Sequence, residues 1–202
     1  MIFMKEKTSI VLSGVGGQGV ITAANLLGKA AVKAGVNVYV SEVHGMAQRG
    51  GSVNCTVRIG DVSGPLIANG TADVIASTEP IEALRYIHFA NKNSKVITDI
   101  NPVVPFTVSV GLEKYPDIDS VFKELEEKAS LYKIDALQIA KNAGAIITKN
   151  VVLLGALSAS EDLPFDKKIL LDTITDNVPD KYKKINTKAF EDGYKNFKEI
   201  KK

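Results

Sequence analysis

The sequence contains one cysteine, Cys55, no tryptophan and only two histidines, His44 and His88. A single cysteine cannot close an internal disulfide, and it cannot supply the roughly four thiolates that an iron–sulfur cluster takes. The two histidines share no metal-ligand spacing, so no metal site is expected in this chain. Any clusters in its functional setting belong to another polypeptide. Charge of one sign is also scarce: a net +2 gives no basic stripe and argues against nucleic acid as a partner. The lysines gather in the last quarter among Asp and Glu, as on a solvated helical face. No apolar run approaches the roughly 20 residues that cross a bilayer. The start, Met1-Ile2-Phe3-Met4-Lys5, is too short an apolar run for a secretory leader. A cytoplasmic chain with no membrane partner is the expectation. Internal repeats, low-complexity tracts and linkers are absent as well, so residues 1–202 read as a single domain.

Glycine, in contrast, is concentrated. Gly14, Gly16, Gly17 and Gly19 fall within six residues, more than a tight turn requires. The segment ahead of them, Thr8-Ser9-Ile10-Val11-Leu12-Ser13, has the composition of a buried strand. Behind them Val20, Ala24, Leu27, Ala31 and Ala34 recur at helical spacing, with Thr22, Asn25, Lys29 and Lys33 opposite. The run is strand, glycine turn, helix. Gly14, Gly16 and Gly19 fit G-x-G-x-x-G, and free N–H groups at such a helix start favour an anion. Gln18 stands where a side chain would meet a ligand or partner. A second strand, Asn37-Val38-Tyr39-Val40-Ser41, ends at Glu42, roughly where a nicotinamide enzyme places the acid that holds a ribose.

The next stretch qualifies that fingerprint. Val43-His44-Gly45-Met46-Ala47-Gln48-Arg49-Gly50-Gly51-Ser52-Val53 is a glycine-rich basic loop where a regular fold would place a helix. Its backbone N–H groups and one guanidinium suit a carboxylate or phosphate. The strand after it, Asn54 to Ile59, alternates, with Cys55 as a small buried hydrophobe and Arg58 on the exposed side.

These two loops carry a resemblance. The sequence from Gly14 to Val20, followed by Glu42 to Val53, resembles the gamma subunits or domains of the thiamine-diphosphate-dependent 2-oxoacid:ferredoxin oxidoreductases. The His-Gly-Met-Ala-Gln wording before Arg49 is similar to their indolepyruvate branch, where the subunit is called beta. Residues 77–85 and 150–157 add support over most of the chain. The resemblance implies a subunit inactive alone within a complex for the ferredoxin- and CoA-dependent oxidative decarboxylation of arylpyruvates, a step of aromatic amino acid breakdown. It implies thiamine diphosphate, Mg and 4Fe–4S clusters in a large (alpha) subunit, with coenzyme A as co-substrate and ferredoxin reached through the complex. No catalytic residue is assigned to this chain alone. Gly14, Gly16, Gly17, Gln18, Gly19, Arg49, Gly50, Gly51 and Ser52 become the cofactor- or anion-binding wall, and His44, Gly45, Met46 and Gln48 the partner interface. Other 2-oxoacids (pyruvate, 2-oxoglutarate, branched-chain), a self-sufficient NAD enzyme using Glu42, and a stand-alone nucleotide or coenzyme A module remain alternatives. A homodimer remains open for the isolated chain.

The remaining pattern predicts strands near 72–77 and 95–99, an antiparallel edge strand at 107–110 and a weak strand at 131–134. Helices are expected from Pro80 to about Ala90, from an Asp119 cap to Ala129, from an Asp135 cap to Asn142, over 149–158, from Asp166, and from about Thr187. The helix over 149–158 is apolar on nearly all faces, suited to the core or to cover by a partner. The expected fold is α/β, a Rossmann-like mixed sheet with a glycine-rich first strand-to-helix turn and a helical C-terminal third.

Overall fold

The structure, a computed structural model, describes residues 6–45 and 49–200, without the side chains of residues 106 and 107. Its centre is β1 (Lys7–Val15), whose residues 8–14 are all buried. Ile10 and Leu12 point to one face and Val11 to the other, each into a separate apolar cluster. A strand covered on both faces has to be continuously apolar or small, and this one is. α1 (Val20–Lys33), β2 (Val38–His44), β3 (Ser52–Gly60), β4 (Val74–Ser77), α2 (Pro80–Arg85) and β5 (Lys95–Asp99) follow. Next come α3 (Phe106–Ser109), α4 (Ile118–Lys128), β6 (Ser130–Ile134) and α5 (Ala136–Ala143). The chain ends with α6 (Lys149–Ala159), α7 (Lys167–Asp176) and α8 (Asp180–Ile200).

The six strands lie in the order β2-β3-β1-β4-β5-β6. β4, β5 and β6 run parallel to β1, while β3 is antiparallel to both β1 and β2. α1, α5, α6, α7 and α8 bury one face of the sheet; α2 and α4 bury the other. This is the expected mixed α/β sheet with a helical C-terminal part. α6 is buried on nearly every side, which answers its all-round apolar pattern by packing in the core. Asp135 and Asp166 cap α5 and α7 as expected, and Gly144 ends α5 at φ 119°.

β3 sits between β1 and β2, so the first two strands are not neighbours in the sheet. Four expectations need correction. The segment expected as an edge strand at 107–110 is instead the short helix α3, started by Pro105, whose carbonyl accepts from the N–H groups of Val108 and Ser109. Four residues of alternating polarity do not separate a strand from one helical turn. α4 is capped by Asp117, which accepts from Ser120 N at 2.9 Å, and not by Asp119. α2 stops at Arg85 and a 3₁₀ turn (Ile87–Phe89) continues it. α8 begins at Asp180, two polar turns earlier than its aromatic stripe announces.

Candidate functional site

The antiparallel pairing of β1 with β3 brings the two glycine loops together. The ladder reaches Val15 opposite Ser52 and continues beyond both strands. Gly16 N–H donates to Gly51 O at 2.7 Å, and Gly50 N–H donates to Gly16 O at 3.2 Å. Segments far apart in sequence therefore form one junction at the carboxyl end of β1. Gly17 (φ 97°) and Gly19 (φ 79°) adopt the left-handed backbone that turns the chain into α1.

A cleft flanks the junction on each side. One, of about 410 Å³, lies at the amino end of α1 and is lined by Gly16, Gly17, Gly19, Ile21, Thr22 and His44. α1 has no side-chain cap and no acidic residue in its first turn, so its terminal N–H groups face a cleft free of competing carboxylates. The other, of about 440 Å³, is lined by Arg49 through Ser52, Glu79, Glu82, Arg85 and Tyr115. Two of its walls are buried acids: Glu79 caps α2, accepting from Glu82 N at 2.9 Å, and also accepts from the Tyr115 hydroxyl. Burial first, and then the hydrogen bond to Glu79, raise the Tyr115 phenol above its ordinary range. Ser52 donates to Glu82 and lies 3.1 Å from the Tyr86 hydroxyl, anchoring the Arg-Gly-Gly loop to α2.

The expected site residues divide by position. Arg49 and Gly50 are exposed, with Arg49 at the second cleft, while Gly51 and Ser52 are half-buried in its wall. Gly17 is open to solvent. Gly14 is buried, and a Cβ there would lie 1.9 Å from the Thr78 hydroxyl, so packing alone demands its glycine. Gln18 turns inward: its Oε1 accepts from Val15 N at 3.0 Å and from the Thr78 hydroxyl at 2.5 Å. His44 ends β2, exposed, with Nδ1 3.2 Å from Gly45 O, and it lines the first cleft. Gly45 is exposed beside it, and Met46 and Gln48 lie outside the described residues. Glu42 is carried on β2, two strands from β1, about 10 Å across the sheet. That separation removes the ribose geometry of a nicotinamide site. Cys55 is fully buried, and burial, with a smaller effect of Glu42, pushes its thiol up to about 12.

Sequence reasoning passed over Thr78, Asn150 and the Glu79–Glu82 pair as parts of this junction. The signals were available. Thr78-Glu79-Pro80 follows a strand directly, and Lys149-Asn150 are two polar residues opening an otherwise apolar helix. Among the described residues no group of three or more His, Cys, Asp or Glu side chains could hold a metal ion. One cysteine supplies too few thiolates for an iron–sulfur cluster. No described helix is long and apolar enough to cross a membrane.

The chain belongs to the pyruvate ferredoxin/flavodoxin oxidoreductase family, whose profile matches residues 9–196. Within it, the chain is 48% identical over 200 residues to the indolepyruvate oxidoreductase subunit IorB of Thermococcus kodakarensis, covering 98% of each chain. It is 28% identical over 201 residues to the 2-oxoglutarate synthase subunit KorC of Methanocaldococcus jannaschii, covering 98% of this chain and 97% of that one. Its fold matches the gamma subunit of a keto/oxoacid ferredoxin oxidoreductase from Geobacter sulfurreducens. That match has a TM-score of 0.71 at 22% identity and covers 95% of this chain and 99% of the other.

Proposed function

We propose that this chain is the beta subunit of an indolepyruvate:ferredoxin oxidoreductase. The complex would convert an arylpyruvate and coenzyme A to the acyl-CoA and carbon dioxide, passing two electrons to ferredoxin. The observation that carries this reading is the full-length relationship to the indolepyruvate branch, well above that to the 2-oxoglutarate branch. A large subunit would supply thiamine diphosphate, Mg and the 4Fe–4S clusters; the single cysteine here provides too few thiolates for a cluster. Those groups provide the carbanion stabilisation and electron transfer of the reaction.

The work left to this chain is binding, orientation and exclusion of water. The first turn of α1 offers uncapped N–H groups to a phosphate or carboxylate, which the helix dipole also favours. Arg49, on the exposed rim of the second cleft, would hold a further anionic group in the planar two-point manner of a guanidinium. Coenzyme A, with its phosphates, is the co-substrate that matches such a wall. The loop that carries the exposed residues His44, Gly45 and Arg49 would be the part that meets the large subunit, in the cytoplasm where ferredoxin is reduced.

The test is substrate discrimination by the reconstituted complex. Expected is a kcat/KM for indolepyruvate or phenylpyruvate at least tenfold above those for pyruvate and 2-oxoglutarate. A preference for 2-oxoglutarate would assign the chain to the other branch.

A further inference from the structure

The glycine turn is held in shape by side chains that do not line the cleft it borders. Thr78 lies 60 residues from Gln18 in sequence, and its hydroxyl donates to Gln18 Oε1 at 2.5 Å. Its own N–H donates to Ser13 O at 3.0 Å, which fixes Thr78 to β1. Asn150, 131 residues from Gly19, donates from Nδ2 to Gly19 O at 3.2 Å, while its Oδ1 accepts from Val151 N at 3.0 Å. Lys149 continues the chain of contacts, donating from Nζ to Thr78 O and to Asp99 Oδ2, both at 2.8 Å. Thr78 and Asn150 are 4% and 7% exposed, so both donor side chains are largely withdrawn from water. A Cβ on Gly19 would lie 2.6 Å from Asn150 Nδ2, which shows how closely the side chain is applied to the turn. Neither Thr78, Asn150 nor Gln18 lines the 410 Å³ cleft; they act on its wall from behind.

A turn of four glycines loses more entropy on ordering than any other composition, and an anion would have to order it at the expense of affinity. Contacts already present in the chain remove that requirement. We propose that Thr78 and Asn150 are positioning residues that preset the glycine turn at the amino end of α1 for an anionic group of the co-substrate. The inference rests on the reading of that turn as an anion-facing wall.

The experiment uses the reconstituted complex and two readouts, hydrogen exchange over residues 16–22 and the KM for coenzyme A. Thr78→Val keeps the shape and removes the donor. It should raise exchange and KM about five- to tenfold, the effect of one buried hydrogen bond, with kcat at saturating coenzyme A within twofold. Thr78→Ser restores the hydroxyl and should restore both. Asn150→Leu, which removes the donor to Gly19 without adding charge, gives the same result by a second route if Thr78→Val does not fold. Wild-type exchange and KM in both variants would overturn the proposal, and so would faster exchange with an unchanged KM, which makes the contacts merely structural. Gln18→Glu separates this from the site reading, because it keeps both acceptor bonds and adds a negative charge. Exchange should stay at the wild-type rate while KM rises. An unchanged KM there, with the Thr78 results intact, would remove the anion at α1 and leave the presetting of the turn.

Discussion

Gly155→Ala is the substitution whose sign the structure decides against the usual rule. In a helix interior this change normally stabilises by about 1 kcal/mol through propensity. Here α6 crosses α8 at Gly155 and Gly193. A Cβ at Gly155 would stand 2.1 Å from Phe190 O and 3.0 Å from Tyr194 N, and one at Gly193 would stand 2.1 Å from Val152 O. Ordinary carbon contacts need about 3.5 Å, and the obstructing atoms are helix backbone that cannot rotate aside. The helices would have to part by more than an ångström around Phe190 and Phe197, both fully buried. Overpacking costs typically about 1–3 kcal/mol and occasionally more, and a 2.1 Å approach to helix backbone belongs at the upper end; less the propensity gain of about 1 kcal/mol, the net effect should be a loss of about 2 kcal/mol. At roughly 2–4 °C per kcal/mol for a chain of this size, Tm should fall by about 4–8 °C. Gly28→Ala in α1 is the control. Its Cβ would meet only a Val40 methyl at 3.1 Å, so propensity should hold Tm near or above wild type. Thermal denaturation followed by circular dichroism reads both. A Gly155→Ala chain that melts at or above the wild-type temperature would refute the close-crossing argument.

The other expectations concern single groups. Arg58 donates to Ser9 Oγ and to the carbonyls of Gly64 and Leu66, so Arg58→Ala should cost about 1–2 kcal/mol in urea unfolding; an unchanged midpoint would make it the exposed residue its strand position suggests. The Cys55 thiol is raised from 9.0 to about 12, so the folded state holds this proton more tightly than the unfolded chain does. Its contribution to stability is full below about pH 9 and is lost as pH rises toward 12. The wild-type urea midpoint should therefore fall more steeply than that of Cys55→Ala between these values, and parallel slopes would contradict the burial. With β3 between β1 and β2, NAD should bind no more tightly than about millimolar, the range of weak non-specific contacts; a micromolar Kd by calorimetry would restore the dehydrogenase alternative.

Much of the fold was legible because its signals are local. The strand–glycine–helix start, the caps Asp135 and Asp166, Gly144, and the apolar α6 each depend on a few neighbouring residues. The insertion of β3 between β1 and β2 was not, because strand order depends on which strands pair, and alternation in residues 54–59 is the same at an edge or inside. The candidate site shows the same divide. Both glycine loops could be read, since their composition has few uses. Their direct hydrogen bonding, and the support from Thr78 and Asn150, arise only when β1, β3, β4 and α6 are brought to one end of the sheet. Arg58 is the instructive miss: its strand position is outward, yet the turn after β3 folds back and supplies two carbonyls to its guanidinium.

The central claim is that this chain completes an active site shared with a large subunit, through the junction of its two glycine loops. Arg49 tests it most directly, being exposed at the second cleft and therefore costing little in stability, within about 0.5 kcal/mol, when replaced. The measurement is the steady-state rate of arylpyruvate- and coenzyme A-dependent ferredoxin reduction by the complex reconstituted with wild-type, Arg49→Ala or Arg49→Lys chains. Loss of a charge-assisted hydrogen bond of about 1.5–3 kcal/mol predicts a ten- to hundredfold drop in kcat/KM for Arg49→Ala. Arg49→Lys should recover only part of it, because an ammonium lacks the planar fork, and assembly and Tm should stay at wild-type values. Wild-type kcat/KM in the Arg49→Ala complex would contradict the claim and leave Arg49 a surface charge.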